Sequence, residues 1–278
     1  MAKKYIFLTS AFVWMIFLGG CDEIPVKLAD PVIPDSERVV IIEELSGVSC
    51  PNCPKGNTSV DNILAKFQGR VAAVSIHGDF LSKPTAKSKF DFRNQKAKDL
   101  ENWFKPWFGK PSASINRVPD ENDILMNSIP DLWQAAVEKE LQKPHILNIF
   151  PEVKFNSDSK TIDLNIAVIP LESIKGNFNI SIFLTESEII DAQTNGADIE
   201  NNYNHKHVLR DMMTNFDGDF FGNDLNKNEI LRKTYSYSVS PAASTLWKPA
   251  NMEVVIIIHH NEPKDESVIQ TSYLKLIK

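Results

Sequence analysis

Arg38-Val39-Val40-Ile41-Ile42-Glu43-Glu44-Leu45 runs into Ser46-Gly47-Val48-Ser49 and then into Cys50-Pro51-Asn52-Cys53. The first segment holds a β-branched run, Val39 to Ile42, of the kind buried on both faces of a parallel sheet. Ser46 to Ser49 predicts a turn, and the cysteine pair stands at the start of a helix. Val60, Ile63, Leu64 and Phe67 fall at i, i+3, i+4 and i+7, the spacing of one apolar helix face, and Gly69 ends it. Val71 to Ile76 is a second buried-strand run. The order is therefore strand, Cys-x-x-Cys at a helix start, strand.

That setting resembles a thioredoxin-like unit. Unpaired amides and the positive end of the helix dipole favour a thiolate at the first cysteine, so Cys50 would attack and Cys53 would resolve the mixed disulfide. Asn52 adds no positive charge, which limits that stabilisation. An inert disulfide is the competing use of the pair. Metal binding is a third use, but zinc needs four ligands, no second cysteine pair exists, and His77 would have to help, so no metal is assigned. Glu44 precedes Cys50 by the offset at which thioredoxins carry a buried acidic proton shuttle; otherwise it is an ordinary strand-end carboxylate. Lys110-Pro111-Ser112 leads into the strand-like Ala113-Ser114-Ile115 and resembles the cis-proline segment of that fold. In that role Pro111 would face the cysteines and offer backbone to an extended substrate; otherwise it is a loop proline. His77 closes the second strand at the end where parallel α/β sheets gather ligand sites, which makes it a possible neighbour of the pair. Three features depart from the thioredoxin pattern: no tryptophan precedes Cys50, Pro51 follows it directly, and a long insertion precedes Pro111. The insertion predicts a helix from Phe90 to Phe104, and Asp120 to Lys143 predicts another.

From Pro144 the period changes. Ile162, Leu164, Ile166 and Val168 alternate with polar or small residues, as do Phe178, Ile180, Ile182 and Leu184. Val254 to Ile258 is a denser run, and strand character returns from Ser267 to Lys278. The spacing predicts an antiparallel sandwich of immunoglobulin type. The expected fold is thus an α/β thioredoxin-like domain over residues 37–143 followed by an all-β immunoglobulin-like sandwich over 144–278. His205 and His207 would lie on one side of a strand near Asp217 and Asp219, but nothing fixes a third and fourth metal ligand, so hydrogen-bonding histidines are the simpler reading. Asp217 to Glu229 is not an EF-hand loop, because Phe221 would take a ligand position and Asn228 the place of the closing glutamate.

Met1 to Gly20 reads as an export signal: Lys3 and Lys4 precede an apolar run, Tyr5 to Phe17, too short to span a bilayer. Leu18-Gly19-Gly20-Cys21 resembles a bacterial lipobox, whose cysteine is lipidated through its thiol once the chain is cut before it. Multiple acylation of Cys21 would meet the requirement that stable anchoring takes more than one chain. An ordinary cleaved signal is the alternative. Residues 21–36, with Pro25, Pro31 and Pro34, then read as a tether. Across 278 residues, 42% hydrophobic content is enough for a real core, and three cysteines are too few for a disulfide-stapled mini-fold. The net charge of −6, with scattered basic residues, offers no nucleic-acid footprint. No motif calls for a cofactor.

Taken together, the lipobox, Glu43-Glu44-Leu45-Ser46-Gly47 leading into Cys50-Pro51-Asn52-Cys53-Pro54, Gly109 to Arg117, and Tyr203 to Arg210 resemble the twenty-eight-kilodalton outer-membrane-protein family of Bacteroidetes lipoproteins. The resemblance implies a thioredoxin-like domain, a β-sandwich and an outer-membrane location through the lipid anchor on Cys21. The resemblance itself implies no activity; the cysteine pair in its thioredoxin-like setting points to thiol–disulfide exchange with exported protein or peptide partners. The alternative is a non-catalytic binding or adhesive lipoprotein in which Cys50–Cys53 is a structural disulfide.

Overall fold

The structure, a computed structural model, describes residues 36–277. The expected export signal, Cys21 and nearly all of the tether lie outside the described residues. β1 (Val40–Leu45), α1 (Cys53–Lys66) and β2 (Val71–Ile76) follow the apolar runs of the sequence, with β1 and β2 parallel from Val40↔Val71 to Leu45↔Ile76. α2 (Gln95–Trp103) is shorter than the Phe90–Phe104 pattern suggests. Asn94 caps it, its side chain accepting from the Ala97 amide, and that fixes the start at Gln95 rather than Phe90. β3 (Ser112–Ile115) runs antiparallel to β1, and α3 (Trp133–Leu141) begins only after the short turn at Pro130. Val60 and Ile63 of α1 and Trp133 and Val137 of α3 pack on Val40, Ile42, Val71 and Ala73, one face of these strands.

The rest of the chain is β: β4 (Leu147–Asn156), β5 (Thr161–Pro170), β6 (Ile174–Glu186), β7 (Ile189–Asn195), β8 (Asp198–His205), β9 (Val208–Met212), β10 (Asp219–Leu225), β11 (Leu231–Ser238), β12 (Met252–His260) and β13 (Val268–Lys275). These strands do not form a separate sandwich. One eight-stranded sheet runs β13-β12-β6-β9-β2-β1-β3, with β10 also on β6. The junction is β9 beside β2, parallel at Ser75↔Val208, where the Ser75 amide donates to the His207 carbonyl at 2.7 Å. At the far end the Val268 amide donates to the Asn116 carbonyl, joining β13 to the residue after β3.

The expectation of an α/β thioredoxin-like domain followed by an all-β immunoglobulin-like sandwich is therefore corrected: strands from both halves share one sheet and one core. Ile41, Leu45, Val74 and Ile76 form a single apolar cluster with Phe183, Leu209, Met212, Val255, Ile257 and Val268, covered by Ala97, Leu100 and Phe104 of the α2 segment. The physical reason lies in β6 and β12. Val254, Ile256 and Ile258 face the three-stranded sheet β11-β5-β4, while Val255 and Ile257 face the α2 side. A strand apolar on both faces is an interior strand. β12 therefore belongs to the middle layer between two cores, a place the outer sheet of a free sandwich does not offer. The described residues, 36–277, belong to one compact unit.

Candidate functional site

Cys50 lies in the turn after β1, its amide donating to the Gly47 carbonyl at 3.0 Å, and Cys53 is the first residue of α1. The two are joined in a disulfide with 5.4 Å between their Cα atoms. Both cysteines are fully buried.

Beneath the first turns of α1 lies Glu44, paired in the sheet with Ser75 on one side and Ala113 on the other. A Cβ placed on Gly56, one helical turn beyond Cys53, would come within 2.6 Å of Glu44 Oε1 and 2.6 Å of Pro111 Cβ. Only glycine lets the helix approach that closely. The structure thus brings Glu44, Pro111 and the cysteine helix together, and the Lys110–Pro111 peptide bond is cis. Burial pushes the Glu44 carboxyl up to about 8; Asp61 pushes in the same direction, and Lys110 opposes them. At neutral pH Glu44 is therefore mostly a protonated acid. Lys110, itself lowered by burial, donates to Glu101 and the Ser46 carbonyl at 2.8 Å each and to Ser82 Oγ at 3.0 Å.

Asn57 connects Glu44 to the other half of the chain. Its side-chain amide lies 3.1 Å from both Glu44 oxygens and 2.8 Å from the Tyr203 hydroxyl, and so bridges the two. Burial holds the Tyr203 phenol up at about 12, so it remains a donor. A cavity of about 20 Å³ lies among Glu44, Asn57, Asp61, Tyr203 and Lys206, large enough for one water molecule. The half-exposed Lys206–Asp61 pair at 2.8 Å borders it, giving the buried acid a polar route outward.

His77 is buried between Phe92 and His205, with ring centroids 5.4 and 6.2 Å away. Burial, then His205 and Lys110, hold it well below the usual imidazole range. His205 is depressed to about 4 by burial and meets Phe92 and Tyr203 edge to face. His207 stands apart in the connection to β9 with φ of 53°. Among the described residues no three His, Cys, Asp or Glu side chains gather as a metal site.

Sequence reading missed what covers the pair. β7 and β8 form a two-stranded sheet of their own laid over the cysteine turn. The Thr194 amide donates to the Val48 carbonyl at 2.8 Å and the Gly196 amide to the Pro51 carbonyl at 2.9 Å. Gln193 Nε2 donates to the carbonyls of Gly47 and Cys50 at 3.1 and 3.0 Å. Asn57, Tyr203 and Gln193 carry no signal in sequence, since their partners lie up to 146 positions away.

A family profile for outer membrane protein Omp28 matches residues 97–276. The chain belongs to the Omp28 outer membrane protein family. Membership places it in the outer membrane. The fold of this Omp28-family chain is similar to that of HBP35 of Porphyromonas gingivalis, with a TM-score of 0.69 at 14% identity over 88% of this chain and 77% of that one. It is also similar to protein AGR_C_4864 from Agrobacterium tumefaciens, with a TM-score of 0.52 at 14% identity over 87% and 96% of the two chains. A domain of the outer membrane lipoprotein Omp28 from Porphyromonas gingivalis overlaps 48% of the chain at 16% identity with a TM-score of 0.33, covering 90% of that domain. No curated protein matches the chain. No helix among the described residues is long and apolar enough to cross a membrane.

Proposed function

We propose that Cys50–Cys53 is a redox-active pair that exchanges disulfides with exported proteins or peptides at the outer membrane. The observation that carries this reading is Glu44: a carboxylic acid kept protonated to about pH 8 under the helix that the disulfide opens. A buried acid is costly to stability, and proton exchange with a nearby thiol gives it a use. A partner thiolate attacks Cys50 Sγ, the Cys50–Cys53 bond breaks, and Cys53 leaves as a thiolate that takes the Glu44 proton. A second partner thiolate then attacks the partner sulfur of the mixed disulfide and releases the Cys50 thiolate. The partner is oxidised and the pair reduced; the reverse sequence reduces a partner disulfide. Pro111, beside Gly56 of the cysteine helix, borders the site, and His77 is given no step. Cys21 would carry the lipid anchor that holds the chain at the membrane.

A second reading is favoured by one observation: both cysteines are fully buried, as in a structural staple of a binding or adhesive lipoprotein. The reduction potential of the pair and disulfide turnover by the full chain, with and without Cys50→Ala, separate the two. Turnover that Cys50→Ala abolishes is the expected result. A potential below about −300 mV with no turnover refutes the exchange reading, since structural disulfides lie in that range. For the anchor, Cys21→Ala should release the chain from the membrane fraction.

A further inference from the structure

β7 and β8 are the outer part of a ribbon whose inner part is β6 and β9. The inner pair ends at Glu186↔Val208 and the outer pair begins at Ile189↔His205. Between them each chain passes one left-handed non-glycine residue, Glu188 with φ of 58° and His207 with φ of 53°. Matched left-handed residues on both chains bend the ribbon out of the main sheet and down onto the cysteine turn.

Beyond the bend the ribbon divides again. Register slips between Asp191↔Tyr203 and Gln193↔Glu200, so Ala192 opposes two residues, Asn201 and Asn202. That bulge is a local kink in the ladder. On its inner side the arm is pinned: Ile189, Asp191, Ala192 and His205 are buried, and the Asp191 carboxylate accepts from the amides of Lys89 and Phe90. On its outer side Asn195 to Asp198 and Glu200 to Asn202 are exposed. This flap, Gln193 to Asn202, is the part that lies against the cysteine turn, and it is held there through the Gln193 amide and the Thr194 and Gly196 backbone.

The bonding pattern points to what the flap stands in for. Thr194 near the end of β7 and Gly196 in the turn just beyond it, with φ of 59°, both donate their amides to carbonyls of the irregular Val48–Pro51 turn. That is how an extended peptide adds itself to exposed backbone acceptors. We propose that Gln193–Gly196 is an internal occupant of a peptide-binding surface: the Val48 and Pro51 carbonyls receive an extended, cysteine-bearing partner segment once the flap swings out about the Asp191/Gln193 bulge. The identity of the partner rests on the exchange reading above; the cover over the disulfide does not.

The test uses the full-length protein in its oxidised form and measures the rate at which Cys50–Cys53 is reduced, in stoichiometric rather than catalytic runs. The reductants are glutathione and an extended eight-residue peptide with a central cysteine of matched thiol pKa. Gln193→Ala removes the flap's side-chain bonds to Gly47 and Cys50 and should accelerate reduction by the peptide about tenfold, the size expected for losing buried hydrogen bonds. Replacing residues 194–200 by Asn-Gly should accelerate it further, and the gain should be several-fold smaller for glutathione, which lacks a strand's amides. Gln193→Ala keeps the test alive should the shortened ribbon fail to fold, with circular dichroism as the check. Unchanged rates in both variants overturn the proposal. Equal acceleration of both reductants overturns it too, because that outcome describes a simple cover without peptide mimicry. Failure of the exchange reading shows elsewhere, as a low potential without turnover, and leaves the stoichiometric rates measurable.

Discussion

Glu44→Gln tests the electrostatics of the site directly. In the folded chain burial holds the carboxyl at about 8, against an ordinary value of 4.5. Between those two pH values the folded state binds the proton that the unfolded state has lost, so stability falls as pH rises through this window. Below 4.5 both states are protonated and above 8 both are ionised, and the curve flattens at each end. At about 1.36 kcal/mol per pH unit the whole window is worth about 5 kcal/mol, of which about 3 kcal/mol is spent by pH 7. Glutamine is close in shape and does not titrate, so the variant should be more stable than the parent by a margin that grows with pH. That margin should be under about 1 kcal/mol at pH 5, about 3 kcal/mol at pH 7 and larger at pH 8. A mismatched amide contact with Asn57 would shift the whole difference by about 1 kcal/mol without changing its slope. His205, depressed to about 4, binds fewer protons folded than unfolded between 4 and 6.5, so it makes stability rise with pH there. It acts alike in both proteins, and the variant-minus-parent difference isolates Glu44. The assay is urea unfolding of the oxidised protein at half-unit steps from pH 5 to 8.5. Parallel stability curves for parent and variant would refute the reasoning, because they would mean Glu44 titrates as it does in the unfolded chain.

Two further substitutions probe the packing around the same strand. Gly56→Ala gains up to about 1 kcal/mol of helix propensity but drives a methyl into Glu44 and Pro111 at 2.6 Å, an overpacking cost of about 1–3 kcal/mol. The expected net loss of stability, read by thermal unfolding, distinguishes it from an ordinary mid-helix glycine, for which alanine stabilises. Glu43→Gln breaks the bidentate pair in which Arg117, its guanidinium over the Trp103 ring, donates at 2.7 and 2.8 Å to a fully buried carboxylate. It leaves an uncompensated buried cation and should cost about 3–5 kcal/mol in chemical denaturation, whereas a joint Glu43→Leu and Arg117→Met replacement should recover much of it.

The first strand, the cysteine helix and the second strand were legible because each is an apolar run with its own period, and local spacing suffices to read them. Glu44 was read from its offset to the cysteine pair and Pro111 from the strand-like segment that follows it, and the structure seats both against Gly56. The shared sheet was not, since alternation in β5 and β6 marks a strand without naming its neighbour. The legible hint was the unbroken Val254 to Ile258 run, which is apolar on both faces and so demands two cores rather than one. The cover was invisible for a different reason. Gln193, Thr194 and Tyr203 read as the polar filling of a connection, and their contacts with the cysteine turn and Asn57 exist only after the long pairing of β6 with β9 carries them there.

That same pairing explains why the acid, the disulfide and the flap behave as one unit. β9 closes the edge of β2, and the ribbon that leaves β6 and returns into β9 has nowhere to bend except across the carboxyl end of β1 and β2. It brings Tyr203 to Asn57 and Lys206 to Asp61, removing water from Glu44 on the side a two-domain arrangement would leave open. The raised value of Glu44 thus owes most to burial, part of it supplied by residues about 160 positions downstream, with Asp61 adding to it and Lys110 pulling the other way. Swinging the flap about its bulge would leave Tyr203 at the hinge and Glu44 covered, so the acid keeps its proton while the disulfide becomes reachable. Protonation of the acid and access to the sulfur are in this way set by two neighbouring parts of a single arm, the pinned base and the loose tip.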